Sequence, residues 1–227
     1  MVDLVVVSGG LGVPSSSRML ADSLAQAARE EIEARGRQVT VSTYELREYA
    51  VDIANTMVTG YAPPKLEALI SKLVAADAVV AVTPVFTASM SGLFKSFFDV
   101  IDNKSLDGKP VLIAATGGSA RHSMVLDYSM RPMFSYLRAR VVPTGVYAAP
   151  GDWGAGEGGA GPLDDRVRRA AGELAALMGN VPGGTARQSG NSQPSPVSQP
   201  APSPRETARQ LPASLPFEEM LAQIQRK

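Results

Sequence analysis

Three apolar runs without alternation constrain this chain more than any other feature. Leu4-Val5-Val6-Val7, Ala78-Val79-Val80-Ala81-Val82 and Val111-Leu112-Ile113-Ala114-Ala115 hold no polar residue. A strand with one wet face alternates apolar and polar side chains. A continuous run marks a strand buried on both faces, as in a parallel sheet covered by helices. Val39-Thr40-Val41-Ser42-Thr43-Tyr44 is β-rich and partly alternating. Val141-Val142 with Gly145-Val146-Tyr147-Ala148 reads as a fifth strand, and Pro143 inside it points to a sheet edge.

Helical patterns separate these strands. Ser17 to Ala34 puts Leu20, Leu24, Ala27, Ala28 and Ile32 on one side, with Gly36 placed to end the helix. Pro64 opens a second stretch carrying Leu66, Leu69, Ile70 and Leu73. Met90 to Ile101, Ser123 to Ala139 and Asp164 to Met178 complete the set. Strands alternating with helices, and no tight hairpin signal, predict parallel βαβ units. The expected fold is α/β: a doubly wound, five-stranded parallel sheet with helices on both faces, over residues 1–179. Residues 180–213 are rich in Pro, Ser and Gln and read as a flexible linker. Residues 214–227 read as a short amphipathic helix, with Phe217, Met220, Leu221 and Ile224 in one stripe that needs a surface to dock on.

Composition removes several chemistries. The chain has no cysteine and one histidine, so thiolate metal sites, iron–sulfur clusters, cysteine nucleophiles and histidine-rich metal sites are excluded. Lys and Arg total 22 against 22 Asp and Glu. That balance argues against nucleic-acid or membrane-surface binding and against an acidic electron carrier. No apolar run is long enough to span a bilayer, and Met1 leads directly into a strand. A cytoplasmic protein is expected.

In a doubly wound sheet, ligands bind at the carboxyl ends of the strands, beside the reversal in strand order. Three loops are therefore informative. The first runs from Ser8 through Gly9, Gly10, Leu11, Gly12, Val13 and Pro14 to Ser15, Ser16, Ser17 and Arg18. Free N–H groups, the helix dipole, three hydroxyls and a cation suit a phosphate. The P-loop pattern is absent, and Gly10-Leu11-Gly12 followed by Ser15 is an incomplete dinucleotide fingerprint. Glu45 could serve a ribose, but it lies farther from the loop than such acids usually do. A terminal monophosphate fits better. The second loop, Thr83 to Lys95, offers Pro84, Val85 and Phe86 as a cover for a flat ring, with Thr87 and Ser89 as polar contacts. The third, Thr116-Gly117-Gly118-Ser119-Ala120-Arg121-His122, lets backbone approach a planar ligand, and its N–H groups can oppose negative charge building there.

In order, Ser15-x-Ser17-Arg18-x-Leu20-Ala21, then Thr83-Pro84-x-Phe86-x-x-Ser89-x-x-Gly92-x-x-Lys95, then Thr116-Gly117-Gly118-Ser119 resemble the NADPH-dependent FMN reductases of the flavodoxin-like fold. More narrowly, they resemble the actinobacterial branch that partners luciferase-like monooxygenases. The resemblance covers residues 2–178. It implies that Ser8, Ser15, Ser16, Ser17 and Arg18 grip the FMN phosphate. It implies that Pro84, Val85, Phe86, Thr87 and Ser89 line the ribityl chain and ring. It places Thr116, Gly117, Gly118 and Ser119 at the pyrimidine edge. Departures are Gly12 where many members carry arginine, Phe86 for Tyr, and Thr87 for Asn. The implied activity is hydride transfer from NADPH, with NADH open, to flavin N5, supplying reduced FMN to a monooxygenase. No side-chain acid, base or metal is required. Arg121 and His122 are the candidates on the nicotinamide side. A homodimer or homotetramer is implied. The alternatives are a quinone or azo reductase that keeps its FMN bound, and a non-catalytic flavodoxin-like electron-transfer or binding protein.

Overall fold

The computed structural model describes residues 1–153 and 162–179. The predicted linker 180–213, the stripe within 214–227 and most of the glycine-rich stretch 151–161 lie outside the described residues. The parallel strands are β1 (Val2–Ser8), β2 (Val39–Glu45), β3 (Ala78–Phe86), β5 (Pro110–Thr116), β6 (Arg140–Val141) and β7 (Val146–Ala148). A two-residue β4 (Ser89–Met90) pairs antiparallel with the end of β3. The order is β2-β1-β3-β5, with β6 and β7 both on the free side of β5. The last two are one edge strand broken at Pro143, so the path is the flavodoxin order 2-1-3-4-5.

The break is held by charged side chains. Arg131 donates to the carbonyls of Val142 and Pro143, each at 3.1 Å. Glu173 accepts from the Thr144 backbone N–H and hydroxyl, each at 2.7 Å.

The unbroken apolar runs are explained by which face each side chain meets. Leu4, Val6, Val80 and Leu112 pack under α1 (Ser16–Glu33) and α6 (Pro162–Gly179). Val5, Val7, Val79 and Ile113 face the other layer, formed by α2 (Ala50–Thr59), α3 (Pro64–Ala75), α4 (Gly92–Asp99) and α5 (Arg131–Tyr136). Phe94, Phe97 and Phe98 of α4 are core residues: Phe98 meets Phe97 and Phe134 edge-on and Phe94 at a tilt, and Phe94 also meets Phe134 edge-on. Ser15 caps α1 by accepting from the Arg18 N–H at 3.2 Å, and Pro64 occupies the first turn of α3.

Three local expectations are corrected. The helix expected over Ser123 to Ala139 is a π-turn at Leu126–Met130 followed by the short α5, with Pro132 in its first turn. Met90 belongs to β4, so the helix expected from it begins at Gly92. Finally, α2 and a hairpin at residues 85–90 were not expected at all.

Candidate functional site

The strand order reverses between β1 and β3, and the loops after β1, β3 and β5 meet above that point. They frame a cleft of about 420 Å³. Ser16 comes from the first loop, Pro84, Val85 and Phe86 from the second, and Thr116, Gly117 and Gly118 from the third. Trp153 and Pro150 close the side next to β7.

The first loop is built around a close approach. A Cβ on Gly10 would lie 2.1 Å from Ser15 Oγ, so only glycine lets the chain turn there. The N–H groups of Ser16 and Ser17 open α1 without an acceptor among the described residues. Ser8 is fully buried at the end of β1, and its Oγ has no hydrogen-bond partner among the described residues. Ser17 is also buried. Its hydroxyl meets that of Thr116 at 2.7 Å, which ties the first loop to the third.

Arg18 is partly exposed and heavily engaged. Its Nε donates to both Asp22 oxygens at 2.9 Å, and its Nη1 reaches Glu45 Oε1 at 3.0 Å. The Asp22 hydrogen bond is the main reason its pKa lies even higher than usual, so it stays charged. Arg47, which sequence reasoning missed, pairs with Glu45 Oε2 at 3.0 Å and donates to the Gly12 carbonyl at 3.3 Å. An arginine therefore stands beside position 12, although the residue there is glycine. Glu45, read from sequence as a ribose acceptor, is spent on these two guanidiniums.

The second loop is a two-residue hairpin turn. Thr87 and Ala88 both have positive φ, at 48° and 62°, which L-residues rarely adopt. The turn holds Phe86 45% exposed beside the cleft, so this ring is not core. Thr83 anchors the return: its Oγ1 accepts from the Ser91 N–H at 3.0 Å. Ser89 contacts Ser129 at 3.3 Å, whereas Lys95 of the motif turns away to pair with Asp99.

The third loop rests on Tyr147, a second residue not singled out from sequence. Its hydroxyl donates to the Ser119 carbonyl at 2.7 Å, and a Cβ on Gly117 would lie 2.2 Å from the Tyr147 hydroxyl oxygen. Burial raises the Tyr147 pKa, and Asp152 adds to the shift. Gly117 is not free to donate to a ligand, because its N–H bonds the Ala148 carbonyl at 3.1 Å. Among the described residues, the N–H groups of Gly118, Ser119 and Ala120 find no acceptor and are the donors this loop still offers. Arg121 and His122 are exposed and border a separate hollow of about 210 Å³ with Ala88 and Tyr128. Of the residues expected from sequence, the cleft thus gathers Ser16, Pro84, Val85, Phe86, Thr116, Gly117 and Gly118; Ser8, Ser15, Ser17, Arg18, Thr87, Ser89 and Ser119 lie outside its lining, and Arg121 and His122 stand to one side. No cluster of residues suited to a metal ion occurs among the described residues.

The sequence model of the NADPH-dependent FMN reductases matches residues 2–154. An NADPH-dependent FMN reductase of Pseudomonas aeruginosa is 36% identical over 176 residues, which cover 78% of this chain and 92% of the relative. An NADH-dependent FMN reductase, SfnF, of Pseudomonas putida is 36% identical over 149 residues, 66% of this chain and 78% of the relative. The crystal structure of an oxidoreductase from Corynebacterium diphtheriae superposes with a TM-score of 0.75 at 52% identity, covering 78% of this chain and 97% of that one. A family match over two thirds of the chain and relatives of this identity and coverage settle the class: the chain belongs to the NADPH-dependent FMN reductase family.

Proposed function

We propose that the cleft takes FMN with its phosphate on the first loop and its ring between Val85, Phe86 and the Gly117-Gly118 backbone. The activity itself is that of the family: NAD(P)H-dependent reduction of FMN. The convergence of all three loops on one cleft carries the placement. The fit has three supports. About 420 Å³ lies in the usual range for a cofactor-sized ligand, roughly 300–1,000 Å³. Gly10 and Gly117 let the first and third loops close onto Ser15 and Tyr147, which fixes both loops at the cleft. The N–H groups of Ser16 and Ser17 supply donors at a helix N-terminus, where phosphate is favoured.

FMN supplies the hydride acceptor when bound; the remaining tasks fall to the chain. Ser15 and Ser16 with the first turn of α1 hold the phosphate. Val85 and Phe86 exclude water from one side of the cleft, and Trp153 borders another. The Gly118 and Ser119 N–H groups oppose negative charge where the ring's pyrimidine edge lies, held at that spot by Tyr147. No side-chain acid or base is needed between nicotinamide and ring. Arg121 beside its hollow is the cation for the 2′-phosphate of NADPH.

We further read FMN as an exchanging substrate whose reduced form serves a monooxygenase, and the chain as self-associating. A groove of about 510 Å³ bordered by Phe98, Ile101, Met133 and Leu137, near exposed Tyr136, supports the latter.

The test is oxidation of NADPH and NADH by the purified protein with and without FMN, after its visible spectrum is recorded. A colourless protein whose rate saturates with added FMN is expected. A yellow protein indifferent to added FMN would instead make it a quinone or azo reductase with resident flavin.

A further inference from the structure

Glu45 ends β2 in register with Ser8, at the edge of the first loop. Its side chain is 14% exposed. One carboxylate oxygen takes Arg18 Nη1 and the other takes Arg47 Nη2, both at 3.0 Å. Arg18 also carries Asp22, and Arg47 also holds the Gly12 carbonyl. The charges paired around this loop therefore cancel: Arg18 and Arg47 against Asp22 and Glu45. This is an unusual way to furnish an anion site. On the reading above, the N–H groups and hydroxyls would meet a dianion, yet both nearby guanidiniums are already matched. Glu45 is the better shielded of the two carboxylates, since Asp22 is 52% exposed and screened by water.

We propose that Glu45 sets how tightly the protein holds the phosphate of FMN. By neutralising Arg18 and Arg47, it leaves the phosphate to neutral donors and keeps FMN exchangeable. This rests on the reading that the first loop takes the phosphate. A phosphate monoester carries close to two negative charges at neutral pH, so a largely buried carboxylate beside it is repulsive. Removing that charge leaves one guanidinium equivalent unmatched and available for a charge-assisted hydrogen bond.

The test is titration of flavin fluorescence at low ionic strength, with FMN and with riboflavin, which has no phosphate. Glu45→Gln should tighten FMN about tenfold while riboflavin changes less than about twofold. The variant should also show a lower KM for FMN and a lower kcat, because product leaves more slowly. Unchanged or weaker FMN binding by Glu45→Gln, in a protein whose wild type still prefers FMN to riboflavin, overturns the proposal alone. A wild type that does not distinguish the two flavins overturns the phosphate reading itself and takes the proposal with it. Should Glu45→Gln fold poorly, Asp22→Asn on the exposed face of α1 decides the matter. It should tighten FMN by about twofold without affecting riboflavin, and no change or a loss overturns the proposal.

Discussion

The two ends of the sheet are built to different standards. At the amino end, polar groups satisfy one another locally. The Asp77 N–H donates to the Asp3 carbonyl, and the Asp77 carboxylate accepts from the Asp3 N–H, both at 2.8 Å. Lys109, just before β5, places its ammonium on the Val74 and Ala76 carbonyls where α3 ends. At the carboxyl end, Ser8 Oγ is buried without a partner among the described residues, Thr87 and Ala88 sit in a disfavoured backbone region, and Phe86 is left exposed. The same strands join both ends, so the difference is not one of fold. One end contributes stability; the other keeps donors, space and apolar surface for a ligand and is less stable for it.

Breaking the contrast at its sharpest point should have the largest effect. Gly117→Ala forces a Cβ onto the Tyr147 hydroxyl, 2.2 Å away, and Tyr147 is buried and bonded to Ser119. Either the ring or the loop must move. Isothermal titration should show FMN binding weakened by more than about tenfold, with a stability loss of about 1–3 kcal/mol. Wild-type affinity in this variant would mean that the third loop does not approach the flavin.

The opposite end gives the control. Lys109→Met keeps the aliphatic stem but strips the donor from two carbonyls at a helix C-terminus. Urea unfolding should show a loss of about 1–2 kcal/mol. The FMN dissociation constant should not change, because β5 separates Lys109 from Thr116 by about 20 Å. Coupled losses of stability and affinity would erase the distinction between the two ends.

What was legible in the sequence follows the same division. The strands could be read because burial on both faces leaves an uninterrupted apolar run, as in Val79 and Val80, which face opposite layers. The three loops could be read because glycine and serine at strand ends are local signals. Arg47 could not. It reaches Gly12 only because β2 lies beside β1 in the register that pairs Glu45 with Ser8, and no local pattern encodes that. Tyr147 escaped for the same reason: it looks like an edge-strand residue until β7 is aligned with β5 through Ala115. The helix α2 was hidden by composition. Val51, Ile53, Thr56, Val58 and Thr59 are β-branched, and only Ile53 and Thr56 are buried, so no apolar stripe announces it. The helix expected over 123–139 has the reverse fault. Its apolar residues are real, but the π-turn and Pro132 interrupt the period they suggest.

A smaller effect should separate Tyr147 as a prop from Tyr147 as core. Tyr147→Phe keeps the ring and removes the hydrogen bond to Ser119, at a cost of about 1 kcal/mol. Burial raises the tyrosine's pKa above its unfolded value of about 10. Its contribution is therefore full below pH 10 and is lost as pH rises through the higher folded-state value. The stability difference between wild type and variant should be constant from neutral pH to about pH 9 and shrink above about pH 10. A difference that grows on the alkaline side would contradict this sign.

The smallest effect should come from the hairpin tip, and it should have the opposite direction. Ala88 sits at φ 62° and Thr87 at φ 48°, where the β-carbon crowds the backbone. Glycine has no such conflict, and asparagine tolerates the region better than a β-branched residue. Ala88→Gly and Thr87→Asn should each raise stability by a few tenths to about 1 kcal/mol, although both substitutions touch only an exposed turn. If the tip were strained merely by chance, the gain would leave FMN kinetics unchanged. If the turn's backbone is held in this conformation to keep Phe86 at the cleft, the gain in stability and the hold on FMN should rise together in Thr87→Asn, which favours the same turn conformation. Ala88→Gly, which also loosens the unfolded chain, should gain less in stability. A loss of stability in both would show that the turn is not strained, and the carboxyl end would then be as well satisfied there as the amino end.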